Sequence, residues 1–154
     1  AHSQADRTAL WAIRETPAEY RRAFGHMTGF DIGLPVSAMA TTVAEIEGAI
    51  RTRWPGAVAM SYGHVGDGNL HMVAHVPEAG ADQPAADVSA LVYDHMRAIG
   101  GTISAEHGIG TVKRAYMGHS RSPEELATMR AVKAALDPKG ILNPGRSFAP
   151  NAVG

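Results

Sequence analysis

Residues Tyr62–His71 read YGHVGDGNLH, two histidines on either side of a turn that uses glycine twice. Asp67-Gly68 is a strong signal for a two-residue type I′ hairpin, whose central positions both need positive φ. A turn there pairs Gly66 with Asn69, Val65 with Leu70 and His64 with His71. Directly opposed residues share a sheet face with Cβ atoms about 4.5–5.5 Å apart. Two imidazoles so placed can converge on one ion at about 2.0–2.1 Å each. The argument depends on register, because a one-residue slip sends one histidine to the opposite face. Without a third ligand, two solvated side chains on a half-exposed sheet are the better reading of the pair.

Working outward, residues 57–65 and 70–76 are the two strands of this hairpin. Ahead of them, residues 30–36 alternate like a strand, with Ile32, Leu34 and Val36 on one face and Pro35 marking an edge or an end. Thr42 and Glu45 fit a capping box, followed by Val43, Ile46, Ala49 and Ile50 at helical spacing. A second helix begins near Pro84. Its stripe of Val88, Leu91, Val92, His95, Met96 and Ile99 ends at Gly100-Gly101. Thr102–Ser104 is then a short last strand. The order is β-α-β-β-α-β, which predicts an α+β fold: a ferredoxin-like sandwich with an antiparallel sheet and helices on one face.

Residues 8–24 flank this unit as a helix interrupted near Pro17. Beyond it, Ser122-Pro123-Glu124-Glu125 opens another capped helix, with Leu126, Met129, Val132 and Leu136 as its expected buried stripe. The expected organisation is an N-terminal helical segment over 1–28, the sandwich over 29–106 and a helical C-terminal tail over 107–154, together forming one domain. The sandwich ends on Glu106-His107, in a loop where Gly108 and Gly110 permit tight backbone conformations. Glu106 is the best source of a third ligand, although a solvated strand-to-helix turn fits the spacing equally well.

The composition narrows the chemistry. The 154 residues are 45% apolar and carry a formal charge of −1, which gives no basic footprint for nucleic acid. No apolar run approaches a bilayer span, and no cysteine is present to form a disulfide or a thiolate ligand. Eight histidines leave imidazole and carboxylate as the natural ligands for a divalent metal. A cytoplasmic protein is expected, peripheral at the inner membrane face at most.

Three motifs in order, GHVGDGNLH, ISAEHGIG and LDPKGILNPG, resemble the C-terminal portion of the FAD-linked 2-hydroxyacid dehydrogenases. That group holds D-lactate dehydrogenases, the glycolate oxidase D subunit and D-2-hydroxyglutarate dehydrogenases. The resemblance runs from Leu10-Trp11-Ala12-Ile13-Arg14-Glu15 to Phe148. It implies His64, His71 and Glu106 as ligands of a divalent metal, Zn or Mn, and His107 as the base that takes the substrate hydroxyl proton. It implies Arg14 as the partner of the substrate carboxylate, and Asn143 and Asn69 as residues facing the flavin. For Asn143, a plain turn residue ahead of Pro144 is an equally good reading. Family members that act on longer dicarboxylic acids carry a lysine where this chain has Gly29 and an asparagine where it has Val73. A lactate- or glycolate-class acid is therefore expected.

The family's FAD-binding domain, which lies N-terminal to this region, has no counterpart in the chain. The chain is thus expected to be a substrate-binding cap that is silent alone, with the FAD-binding domain as its partner and a homodimer as its assembly. Lys113 and Arg114 could supply compensating charge to the substrate, although a solvated helix face is the better reading. His95 reads as half-buried, His75 as too distant for the same ligand shell, and Trp11 and Trp54 as packing residues. Two other readings stay open: a stand-alone metal-binding or metal-dependent hydrolytic domain, and a non-catalytic partner subunit.

Overall fold

In the computed structural model, which describes residues 2–148, strand β1 (Thr28–Gly33) leads through a short 3-10 turn into helix α3 (Met39–Arg53). The hairpin of β2 (Val58–His64) and β3 (Asn69–His75) follows, and then helix α4 (Ala85–Ala98). The sheet is antiparallel with spatial order β1-β3-β2. Period-2 alternation divides its residues cleanly between two faces. Phe30, Ile32, Leu70, Met72 and Ala74 point to the side covered by Ile46 and Ile50 of α3 and Val88, Val92 and Met96 of α4. Ile32, Ile46, Ile50, Met72, Val92 and Met96 are fully buried. Each such side chain contributes about 1.5–3 kcal/mol relative to an exposed one, so this layer holds the other face in place.

The fourth strand expected at Thr102–Ser104 is reduced to one antiparallel bridge, Gly33 with Thr102. The chain turns away at once, because Thr102 Oγ1 donates to the carbonyl of Ser104 and the Ile103 N–H is taken by Ser120 Oγ. Among the described residues the architecture is therefore α+β around three strands, and the complete four-stranded sandwich is not formed.

The N-terminal helix is longer than the sequence pattern implied. Helix α1 (Gln4–Glu15) starts on a capping box between Ser3 and Asp6. A 3-10 turn at Pro17 then links it to α2 (Tyr20–Phe24). Leu10, Trp11 and Ile13 remain exposed, so Trp11 is not a packing residue among the described elements, whereas Trp54 packs against the core. Thr42 does not cap α3. The 3-10 turn after Pro35 feeds the helix at Met39, whose burial draws that turn inward, and Thr42 lies buried within the helix. Val36 is exposed in the same turn instead of extending β1.

Helix α5 (Pro123–Leu136) has the expected capping box, with Ser122 Oγ accepting from the Glu125 N–H at 3.2 Å and Glu125 Oε2 from the Ser122 N–H at 2.7 Å. Its stripe is not buried: Met129, Val132 and Leu136 are exposed, because no described element covers that face. What fixes the end of α5 is Asp137, which accepts from the N–H groups of Ile141 and Leu142 and from Lys133. Residues 149–154 of the expected tail lie outside the described part.

Candidate metal and substrate site

The face of the sheet opposite α3 and α4 carries the polar residues in rows. Asp31, His71 and Tyr62 form one row, and Gly33, Asn69 and His64 the next. His71 thus opposes Tyr62, and His64 opposes Asn69. The expected direct pairing of the two histidines is wrong by two residues. The connection is a 3-10 turn over Val65–Asp67 closed by Gly68 at φ 67, longer than the two-residue loop. It is held there because the Gly68 carbonyl accepts the Leu34 N–H at 2.9 Å, tying the turn to the chain beyond β1. A shift of two preserves side-chain parity, so the histidines still share a face, now as diagonal neighbours. Their ring centroids are 5.6 Å apart, edge to face.

Gly63 also belongs to this geometry. Its φ of 151 and the nearness of the Asn69 carbonyl leave no room for a Cβ, so β3 can close tightly on β2.

Above His71 lies the loop that carries Glu106 and His107. Three imidazole nitrogens gather around one carboxylate oxygen, Glu106 Oε1: His71 Nε2 at 3.0 Å, His107 Nε2 at 3.5 Å and His64 Nε2 at 3.9 Å. The His107 ring stacks on His71, with centroids 5.1 Å apart and planes 18° apart. His71 is buried, whereas His64, Glu106 and His107 are open to solvent on one side. Ligand atoms about 2.0–2.2 Å from a tetrahedral ion stand roughly 3.3–3.5 Å from one another. The observed separations bracket that value. Two imidazoles, a carboxylate and an open side fit a zinc-type ion with a free position, and His107 stands beside them.

One ligand atom each from Asp31, His71, Glu106 and His107 lies within 4.8 Å of the others, whereas the expected ligand His64 falls outside that group and reaches Glu106 Oε1 at 3.9 Å. Asp31 Oδ2, however, is crowded with donors. The carboxylate oxygens accept from Ser104 Oγ at 2.9 Å, from the N–H groups of Ala105 (3.1 Å), Glu106 (3.1 Å) and His107 (2.9 Å), and from Lys113 Nζ at 3.2 Å. All but one of these contacts fall on Oδ2, whereas Oδ1 accepts from the Glu106 N–H alone and keeps a lone pair. Burial by itself would raise its pKa. The bonds from His107, Ser104, Glu106 and Lys113 outweigh that effect and hold the group well below the usual carboxylate range.

Lys113 is therefore not part of a solvated face; its side chain is 12% exposed and locked onto Asp31. In the sequence Asp31 did not stand out as part of the site, and Lys113 did so only as a spare charge for the substrate. The available signal was an aspartate in the middle of the apolar run Phe30-Asp31-Ile32, where an unpaired charge is costly.

The other expected site residues are placed as follows. Asn69 is buried beside His64, and its Oδ1 has no hydrogen-bond partner among the described residues. Asn143 sits at φ 46 in an exposed turn. That turn is tied to the segment after His107 by Ser147 N–H to the Gly110 carbonyl and by Arg114 to the Gly145 carbonyl. Arg14 is not brought to the histidines. Its guanidinium pairs with Glu15 at 3.2 Å and lies 5.9 Å over the Trp11 ring. His95 Nε2 lies 3.1 Å from Glu45 Oε2, joining α4 to α3, and His75 Nδ1 lies 2.9 Å from the His26 carbonyl oxygen. No helix among the described residues is long and apolar enough to cross a membrane.

Comparison with known proteins gives this geometry a family. Residues 1–147 match the family described as FAD linked oxidases, C-terminal domain. A D-2-hydroxyglutarate dehydrogenase of Stutzerimonas stutzeri is 39% identical over 146 residues, covering 91% of this chain and 31% of that protein. The mitochondrial D-2-hydroxyglutarate dehydrogenase of Danio rerio is 40% identical over 146 residues, covering 93% and 26%. That of Arabidopsis thaliana is 38% identical over 137 residues, covering 89% and 24%. The chain spans about a third or less of the length of these relatives. With its histidine hairpin facing the Glu106-His107 loop, this chain belongs to the C-terminal domain family of the FAD-linked oxidases.

Proposed function

We propose that the chain is the substrate- and metal-binding part of an FAD-dependent dehydrogenase that oxidises a D-2-hydroxyacid to the 2-oxoacid. The observation that carries this reading is the convergence of three imidazole Nε2 atoms on Glu106 Oε1. His64, His71 and Glu106 are the residues that would hold a divalent metal, Zn or Mn. When bound, such an ion supplies Lewis acidity that lowers the pKa of a substrate hydroxyl, and the FAD implied by the family accepts hydride.

The protein's own part is proton handling and orientation. His107 Nε2 takes the hydroxyl proton as the α-hydrogen leaves with its electron pair, and a histidine suits transfer near neutral pH. Stacking on His71 fixes the plane of the His107 ring. Arg14 is the residue that would clamp the substrate carboxylate with two parallel hydrogen bonds, and α1 would have to bring it over the sheet. Asn143 and Asn69 would face the flavin; the unpartnered Oδ1 of Asn69 suits a donor from it. The FAD-binding domain of the same parent protein is the inferred partner.

The relatives' names point to D-2-hydroxyglutarate. In this chain the row next to His71 is Gly29, Val73 and Met60, which presents no cation to a second carboxylate. That favours an acid of the lactate or glycolate class. The test is dye reduction by the flavin-loaded full-length protein with D-lactate, glycolate and D-2-hydroxyglutarate. Turnover of D-lactate or glycolate above D-2-hydroxyglutarate is expected. Preference for D-2-hydroxyglutarate would overturn the substrate assignment, and no turnover of any of the three would overturn the dehydrogenase reading.

A further inference from the structure

The loop that carries Glu106 and His107 has almost no sheet to hold it. Its only ladder contact among the described residues is the Gly33–Thr102 bridge, two residues before the loop begins. Consecutive backbone N–H groups at 105, 106 and 107 turn instead toward a single carboxylate, at 3.1, 3.1 and 2.9 Å. Such a concave run of N–H groups is an anion-binding nest, and here an internal anion fills it.

We propose that Asp31, braced by Lys113, is the positioning residue that shapes the Ser104–His107 loop and so sets Glu106 and His107 against His71. The inference rests on the reading of His64, His71 and Glu106 as metal ligands. Its first support is register. Asp31 is the cross-strand partner of His71, so the carboxylate that organises the loop and the buried imidazole that meets Glu106 are anchored at one level of the sheet.

Its second support is the closed bonding around the carboxylate. Ser104 Oγ contacts both Asp31 Oδ2 and the Gly108 carbonyl oxygen, 2.9 and 3.0 Å away, and so joins the two ends of the loop. Lys113 Nζ contacts Asp31 O, Asp31 Oδ2 and Ser104 Oγ at 3.3, 3.2 and 3.1 Å. With its inward N–H groups held by Asp31, the loop projects the Glu106 and His107 side chains outward to the histidine face. Asp31 also adds negative charge beside the ligands.

Groups that orient metal ligands are worth about 10–100-fold in metal affinity, and that is the loss expected here. The experiment titrates Zn2+ into the full-length protein against a competing chelator, and separately records the thermal midpoint of the metal-free form. Asp31→Asn should bind Zn2+ at least about tenfold more weakly per folded molecule. Lys113→Met withdraws the brace from Asp31 Oδ2 and Ser104 Oγ and carries the same test if Asp31→Asn does not fold. For it, too, about tenfold weaker binding is expected. A lowered midpoint with the Zn2+ affinity of the folded protein unchanged would show a purely structural role and overturn the inference. Wild-type protein that takes up no Zn2+ would overturn the ligand reading beneath it, a result separate from equal binding by wild type and variant.

Discussion

Gly68→Ala should destabilise the protein by about 3 kcal/mol, and the structure gives the parts of that figure. Gly68 stands at φ 67, a left-handed conformation that costs an L-residue roughly 1–2 kcal/mol. A Cβ there would lie 2.5 Å from the carbonyl oxygen of Leu34. That oxygen belongs to the backbone and cannot rotate away, so the turn must shift, at about 1–3 kcal/mol for forced overpacking. The smaller entropy of the unfolded alanine chain returns about 0.4–1 kcal/mol. For a chain of this size the net corresponds to a fall in Tm of about 6–12 °C. The neighbouring Gly66 is the control: it has no left-handed φ, and nothing lies within 4 Å of a Cβ built on it. Gly66→Ala should therefore change stability by less than about 0.5 kcal/mol. Urea denaturation of both variants, with m unchanged, checks the pair. Equal stability of Gly68→Ala and wild type, or equal losses in both variants, would refute the account of how the turn is tied to β1.

Further outcomes concern the site and the core. His71→Ala removes the buried imidazole nearest Glu106 and should lower both bound metal and turnover, whereas His107→Asn should abolish turnover with metal content intact; elemental analysis and steady-state rates separate the two. Glu106→Gln keeps the loop's backbone bonds to Asp31, so it should lose metal with little change in the metal-free Tm. Burial chiefly, with Tyr116 and Asp31 nearby, pushes the Tyr93 hydroxyl up to about 12 from 10.0. The unfolded chain ionises first, so this stabilising term is complete below pH 10 and is lost as pH rises to 12. Two pKa units correspond to about 2.7 kcal/mol. Tyr93→Phe should flatten that part of a stability-versus-pH curve measured by urea denaturation.

The fold was legible wherever local chemistry and burial agree. Ile46 and Ile50, Val88 and Val92, and the alternation through Leu70, Met72 and Ala74 announce elements that pack as their periods require. The Ser122 box was readable because its partners are three residues apart. Thr42 misled because its pattern is just as local, yet the burial of Met39 starts the helix earlier. The stripe of α5 misled in the opposite way, since spacing states which residues could be buried but not whether a partner is present to bury them. In the site, His64, His71, Glu106 and His107 were visible as motifs. Asp31 and Lys113 were not, because 82 positions separate them and their meaning lies in a contact.

The hairpin tolerated an error of two residues in its reading without losing its histidines to the other side of the sheet. The same arithmetic applies to change over time. A slip of the paired strands in even steps leaves every donor pointing the same way, while a slip of one turns one strand's donors to the opposite face. Insertions at positions 65–68 only lengthen the loop and should leave His64 and His71 on their face, whereas a lone insertion within 58–64 or 69–75 should need a compensating bulge.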